Sequence, residues 1–222
     1  MVETSRENRL TTACGSRRSA PPLRDNNVGR GSRMSRNSTA LEDHVHRFFG
    51  GHEIRARSWT RGPLAHHESF RVLEIAPGPV SGHWNYASVG AGGLHGSDFI
   101  EFLLTCPQQT ERATELVAMA AYYHSTEGLG IGHTLPIGEP WLPGASCDHF
   151  LVSLPYPFGP SLEVANYDDR EHRFLWLLPI TADEREFKRD RGQEQLERLF
   201  DSQQIEYWNP DRPSVVPKSP AK

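Results

Sequence analysis

The sequence predicts an α+β fold: a mixed, mostly antiparallel sheet with helices packed against it in a single domain. Three observations point there. Short apolar or alternating runs at Phe70–Ile75, His83–Val89 and Phe99–Leu104 are each closed by proline or glycine, the punctuation of strands. Residues 109–123 instead repeat their apolar positions every 3.6 residues. Thr181-x-x-Glu184 is a capping box that opens a second helical region. The 222 residues suffice for one sizeable domain or two small ones. A content of 36% hydrophobic and 23% charged residues is that of an ordinary globular chain.

The elements follow in order. A helix is predicted over 40–49, with Thr39 and Glu42 in capping-box relation and an apolar stripe of Leu41, Val45, Phe48 and Phe49, ended by Gly50-Gly51. The strand Phe70–Ile75 stops at Pro77-Gly78-Pro79; His83–Val89 runs into a Gly90–Gly96 loop; Phe99–Leu104 closes at Pro107. The 109–123 helix carries Ala113, Leu116, Val117, Ala120 and Ala121 on one face, with Gly128 beyond its end. Strands are predicted near 134–138, 148–154, 161–166 and 172–180. Thr181 then opens a helix that Gly192 breaks or bends, and Gln193–Asp201 continues it with Leu196, Leu199 and Phe200 on one face. Pro210, Pro213, Pro217 and Pro220 make the end extended. The domain is thus expected over 38–216, followed by a disordered tail at 217–222.

Charge divides the chain. Residues 1–36 hold eight arginines against Glu3, Glu7 and Asp25; of 24 basic and 28 acidic residues overall, sixteen basic and twenty-five acidic remain, a net −9 body. The leader, 1–37, is rich in Arg, Ser, Asn and Gly and has too few large apolar side chains to offset ordering entropy, so disorder is expected. Three readings stand for it: a nucleic-acid arm, an organellar transit-like peptide, or no function. Met34 directly precedes the first predicted helix, so a start at Met34 is an alternative that mass spectrometry of the native N-terminus would test. Three cysteines (Cys14, Cys106, Cys147) make no disulfide framework, and a reducing cytoplasm is the simplest setting. No apolar run reaches the ~18–20 residues of a membrane span.

Candidate chemistry is sparse. Cys147-Asp148-His149 would place Cys147 and His149 on one face of a strand, with His133 and Cys106 elsewhere, but the paired, repeated spacing of a structural zinc site is missing. The plainer reading is a half-buried thiol and a hydrogen-bonded imidazole. No local signature supports a Cys–His nucleophile, and there is no Gly-x-Ser-x-Gly elbow. The stretches Gly90–Gly96 and Gly128–Gly132 read as turns rather than phosphate loops: the first lacks glycine at 95, the second lacks a following Lys-Ser/Thr. The charged helix over 182–201 reads as mostly a solvated face and a poor source of catalytic carboxylates. No catalytic, metal-binding or cofactor-binding residue is expected, and no cofactor.

An ordered run of unusual segments stands out. Ile137-Gly138-Glu139-Pro140-Trp141-Leu142-Pro143-Gly144 is followed by Cys147–Ser153, then Leu154-Pro155-Tyr156-Pro157-Phe158-Gly159-Pro160. Trp176-Leu177-Leu178-Pro179-Ile180-Thr181 comes next, then Gly192 with Leu196–Phe200, and finally Arg212-Pro213-Ser214-Val215-Val216. In order and spacing this resembles the suppressor-of-fused domain family, over about 40–216, with 137–216 carrying the specific motifs. The resemblance implies a non-enzymatic, protein-binding role. Animal members add a second domain and sequester a transcription factor that binds as an added strand; this chain is too short for that domain. It is similar instead to compact bacterial members that act as immunity proteins, neutralising a toxin domain encoded beside them. The acidic body suits a basic toxin, because complementary charge speeds encounter and sharpens pairing. The alternative is a regulatory or scaffold protein that binds an extended peptide of its partner; a metal-dependent hydrolase is a third reading. Membrane, nucleic acid and small-molecule substrates are not expected. The two prolines around Tyr156 predict an extended, rigid segment presenting Tyr156 and Phe158. With Glu163, Asp168 and Asp169 these are the candidate partner-binding residues.

Overall fold

The computed structural model describes residues 39–217 apart from 60, 61, 93, 96–98, 140 and 168. The arginine-rich leader and residues 218–222 of the expected tail lie outside the described residues. Eight strands form one sheet: β1 (Ile54–Ser58), β2 (Arg71–Ile75), β3 (Trp84–Val89), β4 (Ile100–Cys106), β5 (Thr134–Pro136), β6 (His149–Ser153), β7 (Val164–Tyr167) and β8 (Arg170–Ile180). Their order is β1-β2-β3-β4-β8-β6-β5, with β7 also paired to β8. The β4–β8 pairing is parallel and the other pairings are antiparallel, so the α+β, mixed and mostly antiparallel expectation holds.

Helices cover both faces. α2 (Glu111–Glu127) begins where the Thr110 hydroxyl accepts the Arg112 N–H and ends at Gly128, whose φ of 70° few other residues adopt. It runs past the predicted end at 123 and packs Leu116, Val117, Ala120 and Ala121 over Tyr86, Phe102, Phe150 and Leu175. The opposite face takes Leu41 and Val45 from the N-terminal helix α1 (39–48), Phe49 just beyond its end, and Leu196 and Phe200 from the helix after Gly192. These meet Leu73, Ala87, Leu103, Leu151, Trp176 and Leu178. Adjacent strand residues such as Val72 and Leu73 therefore point into different cores, which is why these strands read as continuous apolar runs.

Four local expectations change. β1 was not foreseen: Ile54-Arg55-Ala56-Arg57-Ser58 is an exposed edge strand, with charge rather than apolar alternation, as edges favour. The predicted strand over 161–166 is half helical. Gly159, at φ 66°, and Pro160 at the first helical position set a short turn of helix, α3 (Pro160–Glu163), before β7 starts. The segment around Tyr156 is a turn and not extended, because the Phe158 and Gly159 N–H groups both donate to the Pro155 carbonyl (2.9 and 3.1 Å). Pro179, expected to end its strand, instead lies within it: β8 runs on to Ile180, and Pro179 stands in register with Phe150 of β6. Its carbonyl lies beyond the reach of β4 and accepts from Arg212 instead (2.9 Å).

One buried imidazole makes stability depend on pH. His172 on β8 lies 4.8 Å from the Phe99 ring, over which Arg170 also stands at 4.7 Å. Burial, helped by the Arg170 charge, holds its pKa below the ordinary 6.5. Below that value the unfolded chain binds a proton that the native state does not, so stability is full above pH 6.5 and falls as pH drops through it. The thermal midpoint is expected to decline between about pH 7.5 and 5.5, and to decline less in His172→Phe. Burial lowers His83 in the same direction, so some slope remains. Equal slopes in both proteins would refute the assignment to His172.

Candidate protein-binding groove

β6 pairs with Trp176–Ile180 of β8 and β7 with Arg170–Arg173. Arg173 gives its N–H to Phe99 on the β4 side, so β7 lies on the edge that β6 also occupies. Residues 154–163 are therefore an excursion between two strands on one edge of β8. That excursion forms one wall of a groove of about 640 Å³. Ser153, Trp176 and Leu178 make the floor, and Tyr156 and Pro157 the near wall. The far wall comes from α5 (Gln193–Gln203), through Glu197, Phe200 and Asp201, and Gln204, Ile205 and Tyr207 complete the lining.

α5 is placed by two devices. α4 (Ala182–Arg191) starts with the full capping box between Thr181 and Glu184, as predicted, and Gly192, at φ 88°, breaks the helix so that α5 leaves at a new angle. A buried ion pair then locks this corner. Arg212 donates to both Glu184 oxygens (2.6 and 2.8 Å), and Glu184 also accepts the Thr181 and Val215 N–H groups (2.9 and 3.0 Å). Glu184 is fully buried and Arg212 is 3% exposed, so Glu184 is an exception on a helix otherwise mostly solvated, as expected. The guanidinium also stands 5.3 Å over the Phe200 ring, behind the groove wall. Sequence reasoning saw Glu184 as a helix cap and missed it as a counter-ion; the arginine 28 residues further on gave no local signal.

The predicted contact residues part company. Tyr156 is 61% exposed and stands at the groove. Phe158 is turned away, 5.6 Å from Phe49 and 6.0 Å from Phe48, and packs with the α1 core. Glu163 is ion-paired with Arg173. Asp169 sits in the β7–β8 hairpin turn with a left-handed φ of 57°, a geometry Asp tolerates. Asp168 lies outside the described residues.

The groove is electrically negative. Burial pushes the Tyr156 hydroxyl up from 10.0, and Glu197, Asp201 and Glu163 push it further, against the Ser153 hydroxyl. Its aromatic side continues outward: Trp176 meets Tyr207 edge-on at 4.8 Å, Tyr207 meets Trp208 likewise, and Trp208 stacks on His83 at 4.4 Å.

The other sequence candidates are absorbed into the fold. The Gly90-Ala91-Gly92 turn does cradle an anion, but the protein supplies it. Glu101 accepts all three N–H groups (3.0, 3.1 and 3.0 Å) and the Ser88 hydroxyl (2.6 Å). Burial pushes its carboxyl up, and Ser88 with the three amides pulls it back. Cys106 and Cys147 are buried free thiols, each pushed up to about 11 by that burial. His149 is hydrogen-bonded to Asp148 (2.8 Å), and no group of three or more metal-ligating side chains gathers among the described residues. No helix among them is long and apolar enough to cross a membrane.

A family model described as suppressor of fused protein matches residues 66–213. The chain belongs to the suppressor-of-fused family. A bacterial suppressor-of-fused homologue, from Neisseria gonorrhoeae, is 34% identical over 83% of this chain and 99% of its own, with a TM-score of 0.74. A chain of the Sufu–Fu complex superimposes at TM-score 0.60 and 15% identity, covering 81% of this chain and 92% of that one. Drosophila Suppressor of Fused does so at 0.52 and 16%, covering 81% of this family member and 51% of the fly chain. The last two likenesses show a shared fold. A search of curated proteins finds no match.

Proposed function

We propose that this suppressor-of-fused family member is a non-enzymatic immunity protein that binds and neutralises a cognate toxin domain in the cytoplasm. The observation that carries the reading is the groove beside Tyr156, open, aromatic and acidic, on a body of net charge −9. A basic partner such as a nuclease domain is attracted by such a field. The Sufu–Fu complex shows that a protein of this fold engages another protein. A non-enzymatic role is favoured by the chemistry of the interior. Its two buried thiols are held far from the thiolate state, and the backbone anion nest at Gly90–Gly92 is filled by Glu101. Free buried cysteines suit a reducing compartment.

The test is co-expression with the polypeptide encoded by the adjacent reading frame. Cells should survive expression of that polypeptide when this protein is present and die without it, and the two should co-purify as a stable complex. Survival unaffected by this protein would end the immunity reading. Capture of a short extended peptide in place of a folded domain would favour the regulatory alternative.

A further inference from the structure

We propose that the groove between the 154–159 turn and α5 is the seat of an arginine-bearing segment of the protein partner; this rests on the protein-binding reading above. Two observations identify the occupant, and a third supplies a probe for it. First, Glu197 and Asp201 line the groove, whereas none of its lining residues is a lysine or arginine. Most other acids of α4 and α5 are neutralised in place: Glu186 pairs with Arg185 and Arg189, Asp190 with Arg189, Glu194 with Arg198 and Glu184 with Arg212, leaving Asp183, outside the groove, without an ion pair among the described residues. Glu197 has only the neutral Gln193 amide (2.7 Å) and the distant Ser153 hydroxyl (3.4 Å). Asp201 has no ion-pair partner among the described residues, so two uncompensated carboxylates one helical turn apart share a wall.

Second, the surfaces facing them are aromatic. Tyr156, Trp176 and Tyr207 supply ring faces and edges, and a guanidinium is the cation that stacks on rings while donating to carboxylates in a planar fork. Third, Trp176 is 3% exposed and its indole N–H has no acceptor among the described residues. A donor of this kind is normally satisfied; held without solvent contact in the groove floor, it serves as a local reporter of what sits above it and is not itself a contact for the occupant. The groove volume of about 640 Å³ falls within the ~300–1,000 Å³ of sites that take a compact ligand.

The test uses the full chain and a capped pentapeptide, Gly-Ser-Arg-Ser-Gly, against the same peptide with citrulline for arginine. The expected result is a saturable shift of the Trp176 indole N–H resonance, assigned with Trp176→Phe, by the arginine peptide and not by the citrulline one. Glu197→Gln/Asp201→Asn should weaken that binding at least ~10-fold, as loss of two carboxylates from a partly desolvated site implies. The thermal midpoint of the variant should match the wild type. An unmoved Trp176 signal, an equal response to citrulline, or unchanged affinity in the variant would overturn the proposal. A co-purification arm separates it from the functional reading. If the adjacent-frame polypeptide binds the variant as well as the wild type, the groove assignment fails and the immunity reading stands. If the arginine peptide seats as described but that polypeptide is not bound, the groove stands and the immunity reading fails.

Discussion

Replacing Arg212 with alanine is expected to destabilise the domain by ~3–5 kcal/mol, the cost of stranding one half of a buried ion pair. The reason lies in what Glu184 keeps. Its carboxylate is fully buried and would retain the Thr181 and Val215 N–H donors while losing both guanidinium contacts. The Pro179 carbonyl, which β4 does not reach, would also lose its donor. A domain of this size has ~5–15 kcal/mol of total stability, so one substitution removes a large share. Arg212→Lys should recover part of it, since an ammonium cannot serve two carboxylate oxygens and a carbonyl in one planar fork. Glu184→Ala/Arg212→Ala should lose less than the two single changes added together, because neither charge is then left alone. Guanidinium unfolding midpoints decide this; a loss below ~1 kcal/mol for Arg212→Ala would refute the role assigned to the pair.

The second large effect is expected at Glu101. Glu101→Ala leaves the N–H groups of Gly90, Ala91 and Gly92 and the Ser88 hydroxyl without their acceptor. At ~1–3 kcal/mol for each buried group left unsatisfied, a loss of at least ~3 kcal/mol is expected even if water reaches some of them. Glu101→Gln preserves shape but turns an NH2 toward donors, so it should fall between wild type and alanine. Hydrogen exchange gives an independent reading: the amides of 90–92 should exchange faster in both variants, and unchanged protection would rule out the nest. Gly90 shows why the turn is so constrained. It is at φ 93°, and a Cβ there would come 2.8 Å from the Ser69 carbonyl oxygen.

Elements with a strong period or a strong stop signal were legible in the sequence. β2, β3, β4 and α2 announced themselves by apolar spacing, and the Thr181–Glu184 box and Gly192 placed the α4–α5 corner. β1 escaped because an edge strand buries almost nothing and so leaves no apolar pattern. The Tyr156 turn escaped because its two flanking prolines were read as enforcing extension, and α3 because four residues are too few to show a helical period. Pro160 instead opens a helical turn, and Pro155 offers its carbonyl to the turn's N–H groups. The groove was half legible. Tyr156 could be named from sequence, but Trp176, Glu197 and Asp201 reach it only because β8 and α5 are laid side by side. Phe158, equally conspicuous in the sequence, went to the core because α1 brings Phe48 and Phe49 over it.

The Glu184–Arg212 pair also imposes an order of events. The carboxylate is synthesised 28 residues ahead of its cation. Every sheet strand and most of the second core have been made before the guanidinium exists to neutralise that buried charge. An interrupted chain ending between the two residues carries an unmatched carboxylate at a position that is fully buried in the finished fold, so truncated products should be recognisably unstable rather than nearly native. Completion of the polypeptide and consolidation of the α4–α5 corner, on which the groove wall stands, thus become the same step.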